Sequence, residues 1–518
     1  MHIPSKIEGA DFKLLRIISR KKRIFMEKAV IALDLGTTGN RAIAFDKNGG
    51  IIHSSYREFP QIHPKPAWVE QNPYDILNTA VKVLNEMLEH CGSYEIVSLG
   101  ITNQRETAVV WNKNTGKPAY NAIVWQCRRT AETCQDLSEY RKLIKEKTGL
   151  FLDPYFSATK IKWVLDNVEE AKILAEKGEL VFGTVDSWIL WNLTGGSVHA
   201  TDASNASRTL LYNINTLKYD EELLKIFGIE ESMLPKVYDS NYNFGVTEKK
   251  ITGKAIPIVG ILGDQQASLF AHSGFEKGVI KNTYGTGLFA MIETGNKIYA
   301  SDKLVATVAW KLDGEAHYAL EGSIFTGGEI IRFIKDNLGL ISSAAESSDA
   351  AKSVISNEGV YFVPALSGLG APYWDPDARG LIIGLTGAAN KNHIIRAALE
   401  SLAYQTKDVV IEFGDTLKSG FDLSEYKLRV DGKASENDFL MQFQSDILNM
   451  PVEKTGFTEM TAFGIAGLSA VSTGFWTDEM FRSFKKTEKI YNPQIGYNTG
   501  SALYAKWREA VLKSLKLV

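Results

Sequence analysis

The same glycine–threonine turn occurs twice in this chain, once in each half, and each copy is wedged between two apolar runs. The first is Leu33-Asp34-Leu35-Gly36-Thr37-Thr38-Gly39-Asn40-Arg41, flanked by residues 30–33 and 42–45. The second is Asn282-Thr283-Tyr284-Gly285-Thr286-Gly287, flanked by residues 278–280 and 288–292. Ahead of the second, Gly263-Asp264-Gln265-Gln266 closes the apolar run 256–262. Each turn reads as a tight β-hairpin whose glycines let backbone N–H groups and threonine hydroxyls converge on an anion. Two such hairpins facing each other would grip a polyphosphate from both sides, which points to a two-lobed phosphotransferase.

A chain of 518 residues exceeds one core and predicts two large domains or more. Hydrophobic content of 44% and charged content of 23% are ordinary for a globular protein, and a net charge of −3 leaves no global pull toward nucleic acid or anionic lipid. No apolar stretch approaches the roughly 20 residues that would span a bilayer. The three cysteines, Cys91, Cys127 and Cys134, form no CxxC, and the last two are spaced like neighbours on one helix face. So sparse and odd a set predicts reduced thiols in a cytoplasmic protein, which makes the sequons at Asn192 and Asn205 chance matches. Residues 1–25 hold seven Lys/Arg against two acids, with Arg20-Lys21-Lys22-Arg23 just ahead of Met26. They lack the apolar core and cleavage site of a secretory signal. They read as a basic targeting arm or, preferably, as a translated leader ahead of a natural start at Met26.

Residues 29–59 predict three short strands, with Asp46-Lys47-Asn48-Gly49-Gly50 as the second turn. Asn72-Pro73 opens a helix with Ile76, Leu77, Ala80, Val81, Leu84, Met87 and Leu88 on one face. A strand over 95–101 delivers Thr102-Asn103-Gln104-Arg105-Glu106-Thr107. After Gly278 the strand–turn–strand pattern restarts, which suggests an internal duplication with a boundary near residue 274. A helix is predicted over 393–413, and the Ser-, Asp- and Lys-rich segment 341–358 reads as a surface excursion.

Ligands of α/β domains sit at the carboxyl ends of strands, where Asp34, the 103–106 group and Asp264 fall. A kinase acting on an alcohol needs a carboxylate beside the acceptor hydroxyl, another to hold Mg²⁺ through water, and donors for the phosphates. Asp264 suits the base and Asp34 the metal. Arg105 and Glu106 are adjacent, so both reach one ligand only if the chain turns there; the alternative is a surface ion pair. There is no GxxxxGK[ST], no GxGxxG after a strand, no HRD or DFG set and no HExxH. Nucleotide binding would therefore use the hairpin loops.

Longer strings carry a resemblance. They are Gly100-Ile101-Thr102-Asn103-Gln104-Arg105-Glu106-Thr107, Val124-Trp125-Gln126-Cys127-Arg128-Arg129-Thr130, Asp153-Pro154-Tyr155-Phe156-Ser157, Phe182-Gly183-Thr184-Val185-Asp186 and Asn205-Ala206-Ser207-Arg208-Thr209. With them stand Gly263-Asp264-Gln265-Gln266, the second turn, Gly368-Leu369-Gly370-Ala371-Pro372-Tyr373-Trp374-Asp375-Pro376 and Phe439-Leu440-Met441-Gln442-Phe443-Gln444. The chain after Met26 resembles the FGGY carbohydrate kinases, and within them the branch acting on glycerol. The resemblance implies an α/β protein with two ribonuclease H-like (actin-like ATPase) domains around a central cleft. Residues 27–274 would bind polyol and phosphate and residues 275–518 the nucleotide, after the extension 1–25. It implies ATP- and Mg²⁺-dependent phosphorylation of glycerol to sn-glycerol 3-phosphate by a cytoplasmic homodimer or homotetramer, with no nucleic-acid partner and no membrane span.

Carried over by position, Asp264 would be the base, and Arg105, Glu106, Tyr155, Asp264 and Gln265 would bind the hydroxyls. Trp125 and Phe289 would pack on the carbon backbone. Thr37, Thr38, Gly39 and Arg41 would surround the phosphates with Thr286, while Gly328, Arg332, Lys433 and Asn437 would complete the nucleotide site. Asp34 and Asp264 would serve the metal. Leu35 and Gly39 depart from the family's glutamine and serine, Arg332 from glutamine, and Lys433 from the second glycine of a Gly-Gly pair. A pentose or tetritol kinase of the same family and a non-catalytic actin-like ATP-binding protein are the alternatives. The complete Arg105, Glu106, Trp125 and Tyr155 set argues against the first, and retained Asp34, Asp264 and Thr286 against the second.

Overall fold

The first apolar run becomes strand β1 (Glu27–Leu35), which lacks a polar face because both of its faces are covered. In the computed structural model, which describes residues 26–515 except 274, 275, 277, 419–421 and 458, Ile31, Leu33 and Leu35 enter one core and Val30 and Ala32 another. The basic extension thus lies outside the described residues. The first core is shared with helix α1 (Pro73–His90) through Ile76, Ala80, Val83, Leu84 and Met87. That helix begins where the Asn72 side chain accepts the Tyr74 N–H and Pro73 fills the first position, which needs no donor.

Strands β2 (Gly39–Phe45), β3 (Ile51–Glu58), β4 (Tyr94–Asn103), β5 (Asn243–Val246) and β6 (Pro257–Gly263) complete a six-stranded sheet in the order β5-β6-β4-β1-β2-β3. Helix α2 (Asp264–Ser273) follows β6 without a loop. The second half builds a seven-stranded sheet from β7 (Val279–Tyr284), β8 (Leu288–Gly295), β9 (Val305–Leu312), β10 (Glu315–Ile324), β11 (Lys427–Asp431), β12 (Val452–Thr455) and β13 (Thr487–Tyr491). Its order is β9-β10-β8-β7-β11-β12-β13. From β10 to β13 the pairings run antiparallel twice, parallel twice and antiparallel once, the same series as from β3 to β5. The restart seen in the sequence is a structural repeat, with β9 added at one edge.

Helices α3 (Glu329–Asp336), α4 (Glu346–Lys352), α5 (Lys391–Leu417), α6 (Asp438–Leu448) and α7 (Met460–Ser472) belong to the second half. Helix α7 nevertheless packs on the first sheet, sharing a core of Val30, Ala32, Ile43 and Phe45 with Phe463, Ile465 and Ala466. Two glycines admit it. A Cβ at Gly100 of β4 would stand 2.8 Å from the Ile465 carbonyl oxygen, and one at Gly464 would collide with the Ala267 carbonyl of α2.

Two expectations change. Segment 341–358 contains α4, whose Ser347 and Ala351 are buried, so it is a wall element as well as a surface excursion. Ser347 can be buried because it turns its hydroxyl to the Ala344 carbonyl, while most of the segment's other polar residues stay at the surface. Cys134 lies in a short helix, Ala131–Asp136, that Cys127 precedes, so the two do not share a helix face; all three cysteines are free and buried. Among the described residues no helix is long and apolar enough to cross a membrane.

Candidate active site

A polar cavity of about 140 Å³ opens where both turns and the ends of β4 and β6 converge. Its walls are Thr37, Arg105, Glu106, Trp125, Tyr155, Asp264, Gln265, Thr283, Gly285, Thr286, Gly287 and Phe289. All seven residues expected around the polyol are among them. The chain turns after β4 as the Arg105-Glu106 pair requires: Glu106 has φ of 61°, a region that non-glycine residues seldom enter. Its carbonyl is held there by donors from Ser157 Oγ at 3.0 Å and Lys160 Nζ at 3.2 Å.

Charge is packed densely behind this wall. Arg105 donates from Nη1 to Glu321 Oε2 at 2.6 Å and Gln266 Oε1 at 3.1 Å. From Nη2 it donates to Glu321 Oε1 at 3.0 Å and the Tyr155 hydroxyl at 3.4 Å. Its Nε lies 3.3 Å from Asp264 Oδ1. Arg208 joins the cluster, donating to Glu106 Oε1 at 2.6 Å and Glu321 Oε1 at 3.1 Å. Burial alone would raise the Glu321 carboxyl, but Arg105 and Arg208 outweigh it and hold it down at about 2. Asp264 behaves in the opposite way. A quarter of its side chain stays open, and burial raises its carboxyl above the usual range against the pull of Arg105, with Glu106 adding to the rise. One carboxylate is fixed as an anion and the other is poised to take a proton.

The apolar side of the cavity is a row of rings, Tyr155, Trp125 and Phe289, in edge contacts of 5.7 and 6.1 Å between centroids. The Trp125 indole N–H donates to Thr37 Oγ1 at 2.9 Å, which ties this wall to the first turn. Of the four residues expected there, Thr37 alone reaches the cavity wall. Arg41 lies opposite Asp34 in the sheet, pairs with Glu459, and covers the Tyr56 ring at 5.0 Å. Gly39 has no room for a side chain, since a Cβ there would meet the Tyr56 hydroxyl at 2.8 Å; that hydroxyl lies 3.4 Å from Thr38 Oγ1.

A second cavity, of about 580 Å³, is lined by Thr286, Gly328, Arg332, Lys433 and Asn437, all the residues expected at the nucleotide in this half. Ala344, Ala345 and Ser348 from the excursion add to its wall. Gly285 and Thr286 belong to the walls of both cavities, so a single turn divides them. Gly432 has φ of 85° with the Tyr284 carbonyl oxygen 2.6 Å from where a Cβ would lie, so this position takes glycine. Lys433 begins the next turn, with its ammonium exposed and paired to Glu436 at 2.9 Å; Arg332 likewise pairs with Glu329 at 2.8 Å. The Asn437 side chain is engaged with the protein, capping α6 at the Leu440 N–H and donating to Ser347 Oγ.

Burial pushes the Asp34 carboxyl up to about 7 and Asp264 adds to the rise, while Arg41, opposite it in the sheet, pulls the other way. Among the described residues no group of three or more His, Cys, Asp or Glu could hold a metal. Two carboxylates suit Mg²⁺, which keeps much of its water and takes phosphate oxygens.

Glu321, Arg208, Lys160 and Lys281 were not singled out by the sequence. Glu321 left one signal, a carboxylate inside the buried strand Tyr318-Ala319-Leu320-Glu321-Gly322.

Residues 29–271 match the N-terminal domain, and residues 280–473 the C-terminal domain, of the FGGY family of carbohydrate kinases. The chain is 52% identical over 489 residues to a glycerol kinase of Aquifex aeolicus, covering 94% of this chain and 99% of that one. It is 50% identical over 494 residues to glycerol kinase 2 of Thermotoga maritima, with the same coverage of 94% and 99%. The crystal structure of Plasmodium falciparum glycerol kinase with ADP superimposes with a TM-score of 0.87 at 35% identity, over 95% of this chain and 99% of that one. A gluconate kinase from Lactobacillus acidophilus, 22% identical, shares the fold with a TM-score of 0.83 over 95% of this chain and 99% of that chain.

Proposed function

The chain belongs to the FGGY family of carbohydrate kinases, and from that premise we propose that it transfers the γ-phosphoryl group of ATP to a terminal hydroxyl of glycerol. The products are sn-glycerol 3-phosphate and ADP. The observation that carries the reading is the shared turn at Gly285 and Thr286, which divides a small polar cavity from a larger, nucleotide-sized one. Glycerol kinases about 50% identical over nearly the whole chain support the choice of acceptor.

In this reading Asp264 takes the proton of the attacking hydroxyl as its oxygen bonds to the γ-phosphorus and the bond to the β,γ-bridging oxygen breaks. A base whose affinity for the proton is raised by burial suits that step. Glu106 accepts from, and the Arg105 Nε edge and the Gln265 amide donate to, the hydroxyls of the acceptor, while Trp125 and Phe289 shield its carbons from water. Thr37 and Thr286 present their hydroxyls and N–H groups from opposite turns to the phosphoryl group, with Thr38, Gly39 and Arg41 behind the first turn. Asp34 and Asp264 would hold Mg²⁺ through its waters; that ion supplies charge neutralisation at the phosphates. Gly328, Arg332, Lys433 and Asn437 frame the nucleoside end. Assembly as a homodimer or homotetramer and a cytoplasmic location belong to the same proposal, the former measurable by light scattering.

The test is ADP release measured over a panel of glycerol, erythritol, xylitol, xylulose and gluconate. Glycerol should give the highest kcat/KM. A pentose or tetritol as the best acceptor would move the protein to another branch of the family, and no release with any acceptor would make it a non-catalytic binder.

A further inference from the structure

Lys281 lines neither cavity, yet its ammonium is buried directly behind one of them. It sits on β7, the strand that leads into the second turn, with no exposed surface. Nζ donates to Gln265 Oε1 at 2.5 Å and to Thr283 Oγ1 at 2.9 Å, and both partners face the acceptor cavity. A buried cation is costly, so its retention here calls for a return. Burial in fact depresses this ammonium to about 8, with Asp431 only partly offsetting the loss.

An ammonium offers donors and no acceptor. The atom of Gln265 that meets it is therefore the carbonyl oxygen, which turns the amide NH₂ the other way, into the cavity. We propose that Lys281 is a positioning residue for the acceptor: by holding the Gln265 carbonyl it presents the Gln265 amide as a hydrogen-bond donor to an acceptor hydroxyl oxygen. The same reasoning orients the neighbouring hydroxyls. Thr283 accepts from Lys281 and lies 3.2 Å from Ser268 Oγ, which donates to Asp431 at 2.9 Å. Asp431 ends β11 and leads through Gly432 into the turn Lys433–Glu436 that walls the second cavity. Donors thus diverge from Lys281, one arm through Gln265 toward the acceptor cavity and the other through Thr283 and Ser268 to Asp431, ahead of the loop that walls the second cavity.

The inference rests on reading the first cavity as the acceptor site, and two measurements separate the two claims. The first compares Lys281→Met, Gln265→Ala and the double variant with the wild type on the best acceptor of the panel. Each single change should raise the acceptor KM roughly tenfold while the KM for ATP stays within about twofold. The double variant should be no worse than Gln265→Ala by more than about threefold, because both changes remove one interaction. Multiplied effects, or a Lys281→Met enzyme with unchanged acceptor KM, would overturn the proposal. The second measurement is a pair of crystal structures, wild type and Lys281→Met, and it needs no turnover. Displacement of the Gln265 side chain from its cavity-facing position supports the proposal, and an unmoved side chain refutes it even if the wild type phosphorylates nothing in the panel. Should Lys281→Met not fold, Lys281→Leu is carried through the same two measurements.

Discussion

Arg105 and Glu321 form a two-point ion pair, 2.6 and 3.0 Å, between a loop leaving the first sheet and a strand in the second. With Gln266 and Tyr155 this commits every Nη hydrogen of Arg105 to protein, so the edge that remains for an acceptor is Nε, beside Asp264. Glu321→Gln keeps the shape and removes the charge, leaving Arg208 with Glu106 and Arg105 with Glu106 and Asp264. Breaking a buried pair costs about 3–5 kcal/mol, so the melting temperature should fall. The acceptor KM should rise at least tenfold, as a rough figure, with the KM for ATP nearly unchanged. A variant that loses stability but keeps its acceptor KM would confine the pair to folding.

Asp264→Asn should lower kcat by about 10²–10⁴-fold while acceptor binding remains measurable by calorimetry. The wild type should also show an acid limb in kcat/KM. The base works only when ionised, and its affinity for the proton is raised, so activity is lost as pH falls through a midpoint above the ordinary aspartate value of 3.8. A midpoint at or below that value, or a loss under tenfold in Asp264→Asn, would take the role away from Asp264.

Lys433 stands in a backbone conformation open to any residue, and its ammonium is exposed beside Glu436. It lines the second cavity with its ammonium turned to solvent, so in the proposed reaction its charge would act on the nucleotide phosphates through solvent. Lys433→Gly should raise the KM for ATP by a factor of about two to five, less at high salt, with kcat unchanged, since the charge stabilises ground and transition states alike. Tighter ATP binding in the variant would show that the side chain obstructs the site.

Gly464→Ala places a methyl group against the Ala267 carbonyl of α2. Overpacking of this kind costs about 1–3 kcal/mol, and the carbonyl cannot retreat without moving the helix that begins at Asp264. Both the denaturation midpoint and kcat should fall. An unchanged midpoint would mean that the two helices separate freely.

The sequence displayed the turns, the repeat and the residues that line the first cavity because each left a local mark: glycine beside threonine, or a polar string at the end of an apolar run. Glu321 and Arg208 left little, because their partners lie far away in the chain; Arg105 meets Glu321 across 216 positions. Lys281 left little because a lysine in an apolar strand gives no sign of which neighbour it meets, although Thr283 is two residues away. Within 341–358, mostly a surface segment as expected, Ser347 is an exception for the complementary reason, since a short side chain that bonds its own backbone can be buried without an apolar pattern. Lys433 replaces the second glycine of the family's Gly-Gly pair without backbone strain, because the glycine-only conformation falls on Gly432.

Helix α7 passes between β4 and α2 at two glycines, one on the strand and one on itself. Shifting α7 by one turn, about 5.4 Å, would bring the side chain of Met460 or Leu468 to the spot that only Gly464 fits. A helix supplied by the second half of the chain thus keys into the helix that begins at Asp264, so the place of that carboxylate along its own axis is set by a contact from the other end of the sequence.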